Sequence, residues 1–212
     1  MSPLSRLSCC GILCIMANRD NHYEAAFEAW LRARQIPYVA VDESRRSLMG
    51  DGSLKSLDFI VSPTQPPHLR GADETTTVAS WLIDVKGRLF PGGRQKQYWK
   101  NWSTQDDLWS LACWQQLFGE RFDALFAFAY WITTDKAPLP RQKLFSFRGR
   151  WYGFIGIRLS DYARHARPVS GKWETVAMAT RRFRELASPI EDFLASPAAS
   201  GRDYHHRGTG NT

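Results

Sequence analysis

A chain of 212 residues, 43% hydrophobic and 13% aromatic, suits one domain with a substantial core and excludes a wholly disordered protein. Its formal charge of +7 favours a polyanionic partner, nucleic acid first. The apolar run after Arg6 is too short to span a bilayer and makes a poor signal peptide, and the four cysteines show neither metal-ligand spacing nor a disulfide framework. A reducing, cytoplasmic setting without a membrane partner is therefore expected.

Residues 1–15 read as a dispensable extension, with Met16 as an alternative start directly before the first helix. One domain is expected over 16–195, with a helical part at its end. The segment 196–212, rich in Gly, Ser, Pro and His, reads as a disordered tail. Asn21 can cap a helix over 22–35 whose apolar stripe is Tyr23, Ala26, Phe27, Trp30 and Leu31. On that helix Glu24 leans toward the interior and Glu28 faces further out. Pro37 ends it, and a strand follows over 38–41.

A second strand is expected over 54–61, with Asp58 inside the run Leu57-Asp58-Phe59-Ile60-Val61. After a polar, Pro-rich loop, a third strand is expected over 78–86. There Asp84 interrupts Trp81-Leu82-Ile83, and Val85 returns to the core-facing parity of Ile83. Asp84 and Lys86 thus share the other face. The segment 87–102 reads as a basic loop. A helix over 106–118, an apolar strand over 124–132 and strands over 144–147 and 151–157 come next. A short helix over 160–167, a strand over 175–178 and helical material to residue 194 complete the order. This alternation describes an α/β sandwich with a mixed central β-sheet flanked by helices.

Carboxylates inside apolar strands need a reason, because an unpaired buried charge is costly. Asp58 and Asp84 would repel one another unless a cation lay between them. A divalent ion with oxygen ligands resolves the conflict; Mg2+ is the usual choice beside phosphate and Mn2+ the alternative. Asp58, Asp84 and Glu24 are the candidate metal residues. Lys86 adds an ammonium that could orient water and neutralise developing phosphate charge. Glu24, Asp58, Asp84 and Lys86 together form the candidate catalytic set for phosphodiester hydrolysis. Arg88, Arg94, Lys96 and Lys100 lie on the basic segment beside it, interleaved with Tyr98, Trp99 and Trp102, and are the candidate nucleic-acid contacts.

This ordered set resembles the PD-(D/E)XK nuclease superfamily: a helix glutamate, an aspartate on the next core strand and a D/E-x-K strand followed by a helix. Leu57 stands where that motif has its proline. Residues 22–28, His22-Tyr23-Glu24-Ala25-Ala26-Phe27-Glu28, resemble the signature of the uncharacterised bacterial HYExAFE family. Gln105 and Trp109 resemble a glutamine-x-x-x-tyrosine element of some superfamily members, with tryptophan replacing tyrosine; a helix cap at Thr104 and Gln105 explains them more simply. The resemblance implies a restriction-endonuclease-like fold and a metal-dependent deoxyribonuclease of repair, recombination or defence, compatible with a homodimer. The alternative is a non-catalytic nucleic-acid-binding or interaction protein that retains the fold. Intact Glu24, Asp58, Asp84 and Lys86 favour the enzyme.

Overall fold

The structure, a computed structural model, describes residues 21–41, 47–49, 52–62, 80–92, 99–170 and 174–194. The elements in chain order are α1 (His22–Ala33), β1 (Tyr38–Ala40), β2 (Ser47–Met49), β3 (Gly52–Leu54), β4 (Phe59–Val61), β5 (Ser80–Phe90) and β6 (Ser103–Thr104). Then come α2 (Gln105–Phe118), β7 (Phe122–Ile132), β8 (Phe145–Phe147), β9 (Arg150–Arg158) and α3 (Leu159–His165). The chain closes with β10 (Arg167–Ser170), β11 (Thr175–Ala177), α4 (Thr180–Leu186), β12 (Ser188–Pro189) and α5 (Ile190–Leu194).

Among the described residues the main sheet has seven strands in the order β1-β4-β5-β7-β9-β12, with β8 paired to β9. Only β5 and β7 run parallel in it, and α2 makes the crossover between them. The eleven-residue register from Ser80↔Phe122 to Phe90↔Ile132 makes this pair the spine of the sheet.

Alternation along the spine divides the core into two layers. Ile83, Val85, Leu125, Ala127 and Ala129 meet Phe27, Trp30 and Leu31 of α1. Leu82, Ala124, Phe126, Phe128 and Tyr130 meet Leu111 of α2, Tyr162 of α3 and Phe183 of α4. Helices thus cover both faces, the mixed αβ sandwich expected from the sequence and consistent with a restriction-endonuclease-like fold.

Three expectations on the elements are corrected. The strand expected over 54–61 is two strands, β3 and β4, separated by Lys55 to Asp58. The strand expected to end at Lys86 continues to Phe90, because Arg88 and Phe90 are buried on the face that Asp84 and Lys86 share and the parallel partner β7 is equally long. The helix expected over 160–167 stops at His165, and Arg167 and Pro168 enter β10. The extension 1–15, Met16 and the tail 196–212 lie outside the described residues.

Candidate active-site cleft

The cleft forms where β4 begins beside the middle of β5. The register Phe59↔Ile83 places Asp58, one residue before β4, opposite Asp84, on the face turned toward α2. Asp58 is 3% exposed, and its Oδ2 accepts the Val85 N–H at 2.6 Å. One carboxylate thus ties the chain entering β4 to the residue between Asp84 and Lys86. The Asp58 carbonyl also accepts the Val41 N–H at 2.9 Å, and its N–H donates to Ile83 at 3.0 Å.

Lys86 stands on the same face as Asp84, its Nζ 2.8 Å from Asp84 Oδ2. A second carboxylate closes on it from the other side: Asp107 Oδ2 of α2, at 3.0 Å. Asp107 owes its place to helix capping. The Thr104 side chain accepts from the Asp107 N–H, and the Asp107 carboxylate accepts from the Thr104 N–H, a reciprocal capping box. Ser103 Oγ donates to the same oxygen at 3.0 Å. The other Asp107 oxygen meets Lys55 Nζ at 2.9 Å, and Lys55 also reaches Asp106 at 3.1 Å. Charges therefore alternate in a chain from Asp84 through Lys86, Asp107 and Lys55 to Asp106.

The electrostatics follow from this alternation. Burial pulls the Lys86 ammonium toward neutrality, but the Asp84 and Asp107 carboxylates outweigh it and hold its pKa above the ordinary lysine value. Burial raises Asp107; Lys86, the Thr104 N–H and Lys55 together overcome that and hold it well below the usual carboxylate range. Burial likewise lowers Lys55, and Asp107 and Asp106 turn the net shift upward. An ion pair near 3 Å gains roughly 5 kcal/mol at an effective dielectric of about 20, before the opposing desolvation. The directions of the shifts show that attraction wins at all three groups. Lys86 is therefore a cation throughout the neutral range, a hydrogen-bond donor and not a base.

Glu24 sits in the first turn of α1, buried, and its carboxylate accepts from the Asn21 amide. Asn21 also caps the helix by accepting the Tyr23 N–H at 3.1 Å. The first turn of α1 approaches β5 at Gly87. A Cβ there would lie 2.2 Å from the Tyr23 ring, so only glycine admits the contact. Glu24, Asp58, Asp84 and Lys86 all line one polar cleft of about 400 Å³, with Asn21, Lys55 and Asp107 in its walls. All four expected catalytic residues are thus brought together. Three hard oxygen donors on one cleft fit the chemistry of Mg2+ or Mn2+. Among the described residues no three Asp, Glu, His or Cys side chains are grouped closely enough to hold a metal ion between them.

The basic residues divide. Arg88, expected as a phosphate contact, is corrected: it lies inside β5, 8% exposed. Its Nη1 donates to the Gly87 carbonyl at 2.6 Å, and Nη2 donates to the Trp102 carbonyl. Its guanidinium lies 3.7 Å from the Trp102 ring centre. Burial pulls its pKa down to about 10, and Nε has no hydrogen-bond partner among the described residues. Lys100 is half-buried, with its stem against Gly92. Arg94, Lys96 and Tyr98 lie outside the described residues. Trp99 docks on the core, edge-on to Phe90, Tyr130 and Phe183, and is not an open stacking face.

His22 shares a 2.8 Å hydrogen bond with the Tyr152 hydroxyl, and burial, then Arg150, lowers its pKa. Thr104 caps α2 and Gln105 is its first residue, as the helix-cap reading expects, and Trp109 is exposed. On α4, Arg181 and Arg182 pair with Glu185 on the surface.

Sequence reasoning missed Asp107 and Lys55. The capping pattern Thr104-x-x-Asp107 was legible, but it explains the aspartate by the helix alone. Nothing local in the sequence says that its oxygens also face Lys86.

No family model matches the chain, and no curated protein matches it. The resemblance to the HYExAFE family is not supported beyond residues 22–28 themselves. Among solved structures, a Holliday junction resolvase from Archaeoglobus fulgidus aligns over 62% of this chain and 84% of its own, at 15% identity and a TM-score of 0.31. Among the described residues no helix is long and apolar enough to cross a membrane.

Proposed function

We propose that the chain is a metal-dependent nuclease hydrolysing phosphodiester bonds in DNA. One observation carries the reading: a cationic Lys86, 2.8 Å from Asp84, shares a single cleft with Asp58 and Glu24. Asp58, Asp84 and Glu24 would hold Mg2+ or Mn2+. Such an ion, when bound, supplies Lewis-acid polarisation of a phosphate oxygen and a more acidic water.

The chain's own residues account for the remaining tasks. Lys86 donates hydrogen bonds and so orients the attacking water while offsetting the charge that grows on the phosphate. Water adds to phosphorus and releases a proton to solvent, the P–O ester bond breaks, and the leaving oxygen takes a proton from solvent. Asp58, anchored on Val85, and Asp107, anchored on Thr104, keep Asp84 and Lys86 in register, so little is reorganised as charge develops. The net charge of +7 supports a polyanionic substrate.

The engagement of Lys86 by two carboxylates favours the second reading, a DNA-binding protein that retains the cleft without cutting. Linear, circular, single-stranded and branched DNA, each incubated with magnesium, manganese or chelator, separates the two. Cleavage that requires the ion supports the nuclease; binding without cleavage on every substrate supports the alternative.

A further inference from the structure

The nuclease reading leaves one basic and aromatic surface unused. At the far end of the sheet, the hairpin of β8 and β9 turns through Arg148 and Gly149, both at positive φ, 47° and 71°. Gly or Asn is the natural residue at the first of these positions, so an arginine there is held against a steric cost. Its guanidinium lies 4.9 Å from the Phe147 ring centre. Two residues on, Arg150 lies 4.4 Å from the ring centre of Trp131 on β7. The registers Phe147↔Arg150 and Trp131↔Tyr152 put Phe147, Arg150 and Trp131 on the face that α1 covers further along. Both arginines are exposed, Phe147 and Trp131 are half-buried, and among the described residues neither guanidinium is in an ion pair.

This surface joins the cleft through α1. Asn21 and Glu24 line the cleft. His22, between them in sequence, meets Trp131 edge-on at 5.5 Å and is hydrogen-bonded to Tyr152.

We infer that the Trp131–Arg150 and Phe147–Arg148 pairs, joined to the cleft by His22, form a platform for an unpaired stretch of the nucleic-acid substrate. An exposed guanidinium held over an aromatic ring can offer its outer side to a base and its N–H groups to phosphate; Arg150 also interacts with the Tyr152 hydroxyl. An acidic peptide would use the charge and not the planes. The inference rests on the nuclease reading for its substrate, and it makes the preferred substrate one that carries a single-stranded segment.

Fluorescence anisotropy in chelator, with the full chain, tests it. The probes are labelled oligothymidylate of about 15 nucleotides, within the span such grooves cover, and a blunt duplex of equal length. Arg148→Ala/Arg150→Ala is expected to weaken oligothymidylate binding roughly tenfold, as loss of stacked bases does, and to lower its salt slope by about 1.4. Duplex affinity and melting temperature stay near wild type. Arg150→Lys keeps the charge and loses the plane, so it weakens oligothymidylate binding with the salt slope intact.

Wild-type oligothymidylate affinity in the double variant overturns the platform, as does competition by polyglutamate equal to that by oligothymidylate. If the variant loses oligothymidylate binding but wild type never cuts DNA with either ion, the platform stands and the nuclease reading falls. If wild type cuts and the variant binds oligothymidylate unchanged, the nuclease reading stands and the platform falls.

Discussion

Asp107 holds the Lys86 ammonium at 3.0 Å with the same oxygen that caps its own helix. The start of α2 and the middle of β5 are therefore one electrostatic unit, and disturbing the cap disturbs the lysine.

Asp107→Asn should separate stability from charge. The asparagine can still accept the Thr104 N–H, so the loss reflects the missing charge and should be about 1.5–3 kcal/mol, the scale of a hydrogen bond to a charged group. The sign follows from the depressed pKa of Asp107 in the folded protein. Such a group adds stability above its unfolded pKa, near 3.9, and loses it as pH falls toward the folded value. Urea unfolding should show a constant gap between wild type and variant near neutrality that closes below about pH 4. A gap that persists in acid would assign the effect to packing.

Gly87→Ala should displace the first turn of α1. The added methyl meets the Tyr23 ring at 2.2 Å, and overpacking of this kind costs about 1–3 kcal/mol. Combining it with Tyr23→Ala should recover part of that loss, which a double-mutant cycle in urea measures. Strict additivity would show that the two positions do not share the space.

Arg88→Met should cost about 1–3 kcal/mol, because the carbonyls of Gly87 and Trp102 lose their donors. The salt slope of DNA binding should not change, since Arg88 is enclosed. A slope reduced by about 0.9 would return Arg88 to the phosphate-contacting surface.

Magnesium should raise the melting temperature of wild type and not of Asp84→Asn. At about a hundredfold excess over its Kd, a ligand that binds only the native state adds about 2.7 kcal/mol. Equal melting in magnesium and in chelator for wild type would remove the cation from the cleft.

Much of this was legible in the chain. The alternation of Ile83, Asp84, Val85 and Lys86 gave the face of each side chain, because strand parity is a local rule. The stripe from Tyr23 to Leu31 placed Glu24 for the same reason in helical form. What local rules could not supply was pairing. Arg88 looked like a loop residue because the end of β5 is fixed by its partner β7, where Arg88 pairs with Tyr130 far along the sequence. Asp107 and Lys55 join the site through a crossover helix and a connecting segment, and Trp131 and Arg150 become neighbours only when β7 and β9 pair.

Side-by-side cleavage and binding assays of wild type and Lys86→Ala, on DNA with magnesium, test the central claim most directly. Wild type should cut, and Lys86→Ala should cut about a hundredfold or more slowly, as when one transition-state donor is removed. Its DNA affinity should stay near wild type, because many phosphate contacts share the binding. A wild-type protein that binds DNA but never cuts it with magnesium or manganese, or a Lys86→Ala variant that cuts at the wild-type rate, would contradict it.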